Sequence, residues 1–336
     1  MRSGTDTPDW GSHIGSVFSV WTDLTGRPKY TAARRHAYSE KMSLVRHRAF
    51  KCNLECSFGY HSTVPRSDTP HRPREEVIAP PSKLWLLLEG RAAGELATTL
   101  ALRPLLRRLK RGDGHPVLLL PGFLASDFST RPLRRFLRDL GYHAHRWELG
   151  RNLGPQGDLE DRMRERLEEV YARHGRRVSI VGWSLGGVYA RALANRHSRQ
   201  VRSVITLGSP FARDTKANNS VRLFEFITKE RLDEIDSERL AHVRKTPPVP
   251  TTSVFSRTDG VTAWQTSIES EGPLAESIEV PGSHLGLGFN SLVLYIIADR
   301  LMQPEGDWRP LFRAGVVHPP GVRRPPEARL GVREEG

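Results

Sequence analysis

Apolar residues along this chain keep two rhythms over most of its length and neither at its ends. Short, mainly apolar and β-branched runs, Val117 to Leu120 and Val178 to Val181, read as buried strands, and Ser203 to Leu207 as a further strand. Between them apolar positions recur at helical spacing. One such helix runs from about Arg131 to Leu140 and is closed by Gly141. Another runs from about Asp158 to His174, acidic at its start and basic at its end as the helix dipole favours. Further strands are expected over Tyr142 to Leu149, Thr251 to Ser256 and Ser277 to Val280, and a closing helix over Asn290 to Met302. Strand and helix alternating in this way predict an α/β fold with a mostly parallel sheet and helices on both faces.

The remaining stretches depart from that rhythm. Residues 1–76 contain only three leucines, Leu24, Leu44 and Leu54, and neither period persists there, which predicts a disordered extension. A mis-annotated extension, with the folded chain starting near Val77, is the alternative. Pro80-Pro81-Ser82 then introduces a helix from Lys83 to Leu102 with Ser82 as its N-cap. Its Leu84, Leu87, Leu88, Leu96 and Leu100 fall near one face and are expected to pack on the domain. Trp85 and the basic cluster Arg107, Arg108, Lys110 and Arg111 keep peripheral membrane contact open as a second reading. Within 212–250 the pattern breaks, and the charged, helix-periodic Val221 to Lys245 reads as a small helical lid. From 305 to 336 the chain is rich in Pro and Arg without apolar period and is expected to be a disordered tail. The folded domain is therefore expected over 77–304.

Composition changes this picture little. The chain has 336 residues, with 51 basic and 38 acidic side chains and a net charge of +13. That balance would ordinarily suggest an acidic partner. Of the basic residues, however, 43 are Arg and 8 are Lys, as GC-rich codon usage gives, and the charge is spread as +4, +8 and +1 over 1–76, 77–304 and 305–336. No nucleic-acid partner is expected. Two cysteines cannot build a disulfide framework, and the order of His47, Cys52, Cys56 and His61 is unusual for zinc, so no metal is expected either. With no signal-peptide pattern and no run of about 18 apolar residues, the expected location is cytoplasmic.

The chemistry concentrates where strand meets helix at Gly182-Trp183-Ser184-Leu185-Gly186. This is the G-x-S-x-G elbow, in which a serine rides a strained turn with its hydroxyl exposed above the sheet. A serine hydroxyl needs a base. After Ser184 the histidines are His197, His242, His284 and His318. His197 and His242 precede the strand that should carry the acid, and His318 lies in the tail, so His284, in Gly282-Ser-His, is the expected base. Asp259, in Ser256-Arg-Thr-Asp-Gly after a strand, is the expected acid, ahead of Asp233 and Asp236 in a charged helical stretch and of Glu269 and Glu271 beyond the turn. The oxyanion hole is expected from the backbone N–H groups of Leu185, after the nucleophile, and Phe123, after Pro121-Gly122.

Leu120-Pro-Gly-Phe, Gly182-Trp-Ser-Leu-Gly-Gly, Leu207-Gly-Ser-Pro, Ser256-Arg-Thr-Asp-Gly and Gly282-Ser-His, in this order, resemble the blocks of the α/β-hydrolase superfamily on its lipase and esterase side, over about residues 115–303. The resemblance implies a serine hydrolase of carboxylic esters that passes through an acyl-enzyme on Ser184, needs no cofactor and takes a small-molecule or lipid ester. Acyl transfer or thioester hydrolysis would use the same residues. A non-catalytic membrane- or partner-binding protein on this fold is the reading from another class, and an intact triad argues against it. The family's usual first antiparallel strands have no counterpart before Val117, so a pared-down sheet is expected.

Overall fold

The computed structural model describes residues 78–326 apart from 213–216, 220, 222–224, 226–236, 271 and 314–315, all within a compact unit spanning Pro73–Gly336. Residues 1–76 with the Cys52 and Cys56 pair, most of the 221–236 stretch and the last ten residues lie outside the described part.

The described residues form one six-stranded sheet, all of its pairs parallel: β1 Pro116–Leu120, β2 His143–His145, β3 Val178–Trp183, β4 Val201–Leu207, β5 Thr251–Phe255 and β6 Ala275–Glu279, in the order β2-β1-β3-β4-β5-β6. Period-two alternation splits the strands between two cores. Val117, Leu119, Val181 and Ile205 face one side, packed with α3 (Arg131–Asp139) and α7 (Ser291–Leu301). Leu118, Leu120, Ile180 and Val204 face the other, packed with α4 (Leu159–His174) and α5 (Leu185–Arg196). Helices therefore cover both faces, which is why these strands read as apolar runs. No strand precedes β1 among the described residues.

Three expectations need correction. The strand over Tyr142 to Leu149 is short, because the Asp127 carboxylate accepts the N–H groups of Trp147 (3.0 Å) and Glu148 (3.2 Å) and turns the chain off the sheet. Described residues of the tail pack on the domain as far as Arg323, which pairs with Glu279 through two backbone hydrogen bonds of 2.9 Å, and buried Leu311 donates its N–H to Glu276. β6 is an edge strand whose unpaired backbone this segment covers. It contributes single contacts, not a regular element, and so carries no period to read.

The third correction has the most consequence. The helix expected over Lys83 to Leu102 is α1 (Lys83–Leu87), a 3₁₀ turn (Leu88–Arg91) and α2 (Ala92–Leu106), which runs past Pro104. Its orientation is the reverse of the apolar-inward reading. Leu84 is 62%, Leu87 81% and Leu105 61% exposed, whereas Glu89 is 5% exposed. Glu89 and Thr99 face the domain, whereas Leu84, Leu87, Leu88 and Leu100 face outward; Leu106, at the end of α2, is the leucine of this segment that joins the core. A helix normally buries its apolar stripe, so the inward charges must have partners, which lie at the functional site.

α6 (Ser237–Arg244) closes the inserted stretch and rests on the elbow helix. Buried Arg191 of α5 donates to the carbonyls of Val243 (2.9 Å), Arg244 (3.2 Å) and Lys245 (3.1 Å), and Asn195 donates to those of His242 and Lys245. Among the described residues no helix is long and apolar enough to cross a membrane.

Candidate functional site

The site lies at the carboxyl ends of β1, β3, β4 and β5, where a doubly wound sheet leaves a crevice. Ser184 follows β3 with φ 54° and ψ −123°, a conformation that strains any residue with a Cβ. Two constraints impose it. The Ser184 N–H donates to the Leu207 carbonyl at 2.8 Å, and the helix begins at the next residue. The tightness of the turn explains Gly186, since a Cβ there would collide with the backbone of Leu120 and Pro121. Leu185 opens α5, so its N–H stands at the positive end of the helix next to the serine.

The loop after β1 comes close to Ser184. A Cβ on Gly122 would lie 3.2 Å from the Ser184 Cβ. Buried Asn152 fixes this loop from three sides: its Nδ2 donates to Pro121 O (2.9 Å), its carbonyl accepts from Leu124 N (2.7 Å), and its N–H donates to Ala125 O (2.8 Å). Leu124 is held at φ 60° as a result. Phe123, between Gly122 and Leu124, therefore sits on a braced loop beside the elbow.

Asp259 and His284 are in direct contact. Asp259 Oδ2 lies 2.6 Å from His284 Nδ1, and Asp259 Oδ1 accepts the N–H groups of Val261 (2.8 Å) and Thr262 (2.7 Å). The aspartate is 4% and the histidine 5% exposed. Burial by itself would lower the His284 pKa. The charge and hydrogen bond of Asp259, with a smaller contribution from Glu89, outweigh burial and raise it above the ordinary 6.5.

Two observations put this pair beside the serine. Trp183, next to Ser184, donates its indole N–H to the His284 carbonyl at 3.1 Å. Trp183 and Leu207 are register partners, so the residues after them emerge side by side at roughly the 4.8 Å strand spacing. Gly208, the residue after Leu207, abuts the pair: a Cβ there would lie 3.1 Å from Asp259 Oδ2 and 3.2 Å from His284 Nδ1.

The other acids and histidines weighed from sequence are elsewhere. Glu269 is buried and engaged by Arg191 and by Thr246 (2.9 Å). His197 caps the far end of α5, His242 lies on α6, and His318 packs against Tyr295 and Phe312. Asp233, Asp236 and Glu271 lie outside the described residues. Sequence reading missed Asn152, the role of Trp183, and the inward charges Glu89, Arg91 and Glu95. A signal for the last three was present: with Lys83 they are the only charged residues between Lys83 and Leu102, an oddly sparse polar face for a surface helix.

Among solved structures, the fold is similar to that of a lipase from Bacillus licheniformis in mature form, 16% identical, covering 58% of this chain and 96% of that one with a TM-score of 0.44. A monoacylglycerol lipase from Paleococcus ferrophilus is 13% identical over 56% of this chain and 96% of that one, TM-score 0.42. The thioesterase domain from the curacin biosynthetic pathway is 15% identical over 57% and 93%, TM-score 0.40. No match was found among curated proteins. The family model described as alpha/beta hydrolase family matches residues 117–329, well over half of the sequence and every strand of the sheet. The chain belongs to the alpha/beta hydrolase family.

Proposed function

We propose that the chain hydrolyses carboxylic esters through an acyl-enzyme on Ser184. The observation that carries this reading is the buried Asp259–His284 pair, 2.6 Å across, set beside a serine on a strained elbow. As the Ser184 Oγ bonds to the ester carbonyl carbon, its proton passes to His284 Nε2 and the carbonyl π electrons move to oxygen. That oxyanion is received by the N–H groups of Leu185 and Phe123. Collapse of the tetrahedral species expels the alcohol, protonated by His284, and leaves the acyl group on Ser184. Water, deprotonated by the same imidazole, then releases the acid. Asp259 orients the ring through Nδ1 and stabilises the imidazolium. Acyl transfer and thioester hydrolysis differ only in acceptor or leaving group.

A fluorophosphonate probe should label the protein at Ser184, and p-nitrophenyl esters of increasing chain length should slow the labelling in order of increasing affinity, the ester of lowest KM protecting most. Labelling that survives in Ser184→Ala would sink the assignment. Release of free acid, in preference to a new ester when alcohol is added, distinguishes hydrolysis from transfer.

Peripheral contact with a lipid surface belongs to the same reading. Leu84, Leu87 and Leu105 project outward on the segment that ends in Arg107 and Arg108. Co-sedimentation with anionic vesicles, weakened when these leucines become Gln, is the expected result. Equal recovery of both proteins in the supernatant would remove the membrane from the picture.

A further inference from the structure

Glu89 enters the domain from the 3₁₀ turn that separates α1 from α2 and is nearly fully buried. Its Oε1 accepts the N–H groups of Gly260 (2.8 Å) and His284 (3.0 Å), and its Oε2 accepts that of Leu285 (2.8 Å). One carboxylate thus ties the residue after Asp259 to His284 itself, joining two loops that follow different strands. Neighbours on the same segment repeat the pattern. Arg91 donates to Thr258 and to the Gly282 carbonyl (2.9 Å), and Glu95 accepts the Ser283 N–H (2.7 Å) and the Asn290 amide (3.0 Å). Gly260 lets the segment come this near, since a Cβ there would strike the Trp85 backbone. These bonds account for the reversed orientation of α1 and α2.

We propose that Glu89 is a positioning residue for the reaction: it fixes the separation of the Asp259 and His284 loops and places a second negative charge beside the imidazolium that forms during turnover. This rests on the reading of Ser184, Asp259 and His284 as the reacting set. A carboxylate is suited to the task because it only accepts, with four lone-pair sites for three backbone donors. A glutamine would turn an NH₂ group toward at least one N–H and leave both unpaired in a buried site. The charged groups facing the histidine loop are Asp259 from the β5 side and Glu89, Arg91 and Glu95 from the α1–α2 segment. Of these, Asp259 and Glu89 both act to raise the His284 pKa, against burial, which lowers it.

In the full chain, Glu89→Gln should lower kcat by about 10²-fold, as expected of a misplaced reacting group, with KM changed less than threefold. The acid limb of kcat/KM should move to lower pH than in the native protein, since the base must be neutral and one stabilising charge is gone. The imidazole resonance of His284, assigned by its loss in His284→Gln, should titrate at correspondingly lower pH. Glu89→Asp, which keeps the charge on a shorter arm, should lose about tenfold in kcat and leave the limb in place. An unmoved His284 titration in a folded Glu89→Gln protein overturns the proposal, even if thermal stability has dropped, because the residue would then be a structural tie only. Should Glu89→Gln fail to fold, Glu89→Asp decides, and native kcat in that variant overturns it. The titration needs no turnover, so it still judges Glu89 if no Ser184-dependent hydrolysis exists, the outcome that would instead sink the esterase reading.

Discussion

Ser184→Ala is expected to cut kcat for a test ester by about 10⁶-fold and Asp259→Asn by about 10⁴-fold, with the double variant hardly slower than Ser184→Ala alone. The two effects differ because they act on different things. On the proposed reading, removing the Oγ deletes the nucleophile, and what survives is whatever the braced Pro121–Ala125 loop and the start of α5 would contribute by binding and oxyanion stabilisation. The asparagine keeps the shape of a side chain already anchored by the Val261 and Thr262 N–H groups. Facing His284 Nδ1 it presents an amide that favours the wrong tautomer and supports no imidazolium. The two losses should not add, since in the proposed mechanism the aspartate serves only a proton transfer from the serine. Near-native turnover in Asp259→Asn would show that another acid orients His284. An additive double variant would show that Asp259 and Ser184 do not work as a unit.

The second large effect is on stability. Arg191 and Glu269 form an ion pair in which the arginine is 0% and the glutamate 1% exposed at the side chain. The guanidinium also stacks over the Phe211 ring, 3.8 Å from its centroid, and satisfies three carbonyls at the end of α6. Arg191→Met leaves a buried carboxylate with Thr246 and the Ser270 N–H as its remaining polar contacts, and strips those carbonyls of their donor. Breaking one side of a buried pair costs about 3–5 kcal/mol, a large share of a domain's net stability. The urea midpoint should therefore fall sharply with little change in slope. Adding Glu269→Leu should recover part of the loss, because the uncompensated charge is removed, and not all of it, because the carbonyls stay unpaired. A single variant within about 0.5 kcal/mol of the native protein would mean that water reaches the pair and α6 is not fastened to α5 as described.

How well the chain could be read in advance followed the range of the interactions involved. The strands β1, β3 and β4 were legible because a parallel strand covered on both faces is mainly apolar along its length, which leaves a run in the sequence. α4 was legible because its acidic start and basic end answer the dipole of the helix itself. The elbow was legible because its five residues lie together in the sequence, with Gly182 answering crowding against Gly186 and Gly187 within the turn itself. The order of Asp259 and His284 after Ser184 was legible because each follows a strand that could be counted.

The N-terminal segment was misread for the opposite reason. Its leucines lie near one face, and period alone says that such a face goes inward. The decision was made by groups between about 170 and 200 positions away, the N–H groups of Gly260, Ser283, His284 and Leu285, which take the Glu89 and Glu95 carboxylates and so turn Leu84, Leu87 and Leu100 outward. The packed tail is similar, since nothing in Leu311 or Arg323 announces that β6 is the sheet's edge. Local sequence therefore determined which segments are strand or helix, because backbone propensity and periodicity act over a few residues. Which faces are buried, what holds the aspartate to the histidine and what braces the loop beside Ser184 were decided only in three dimensions, because buried donors and acceptors find partners by proximity in space and not by spacing along the chain.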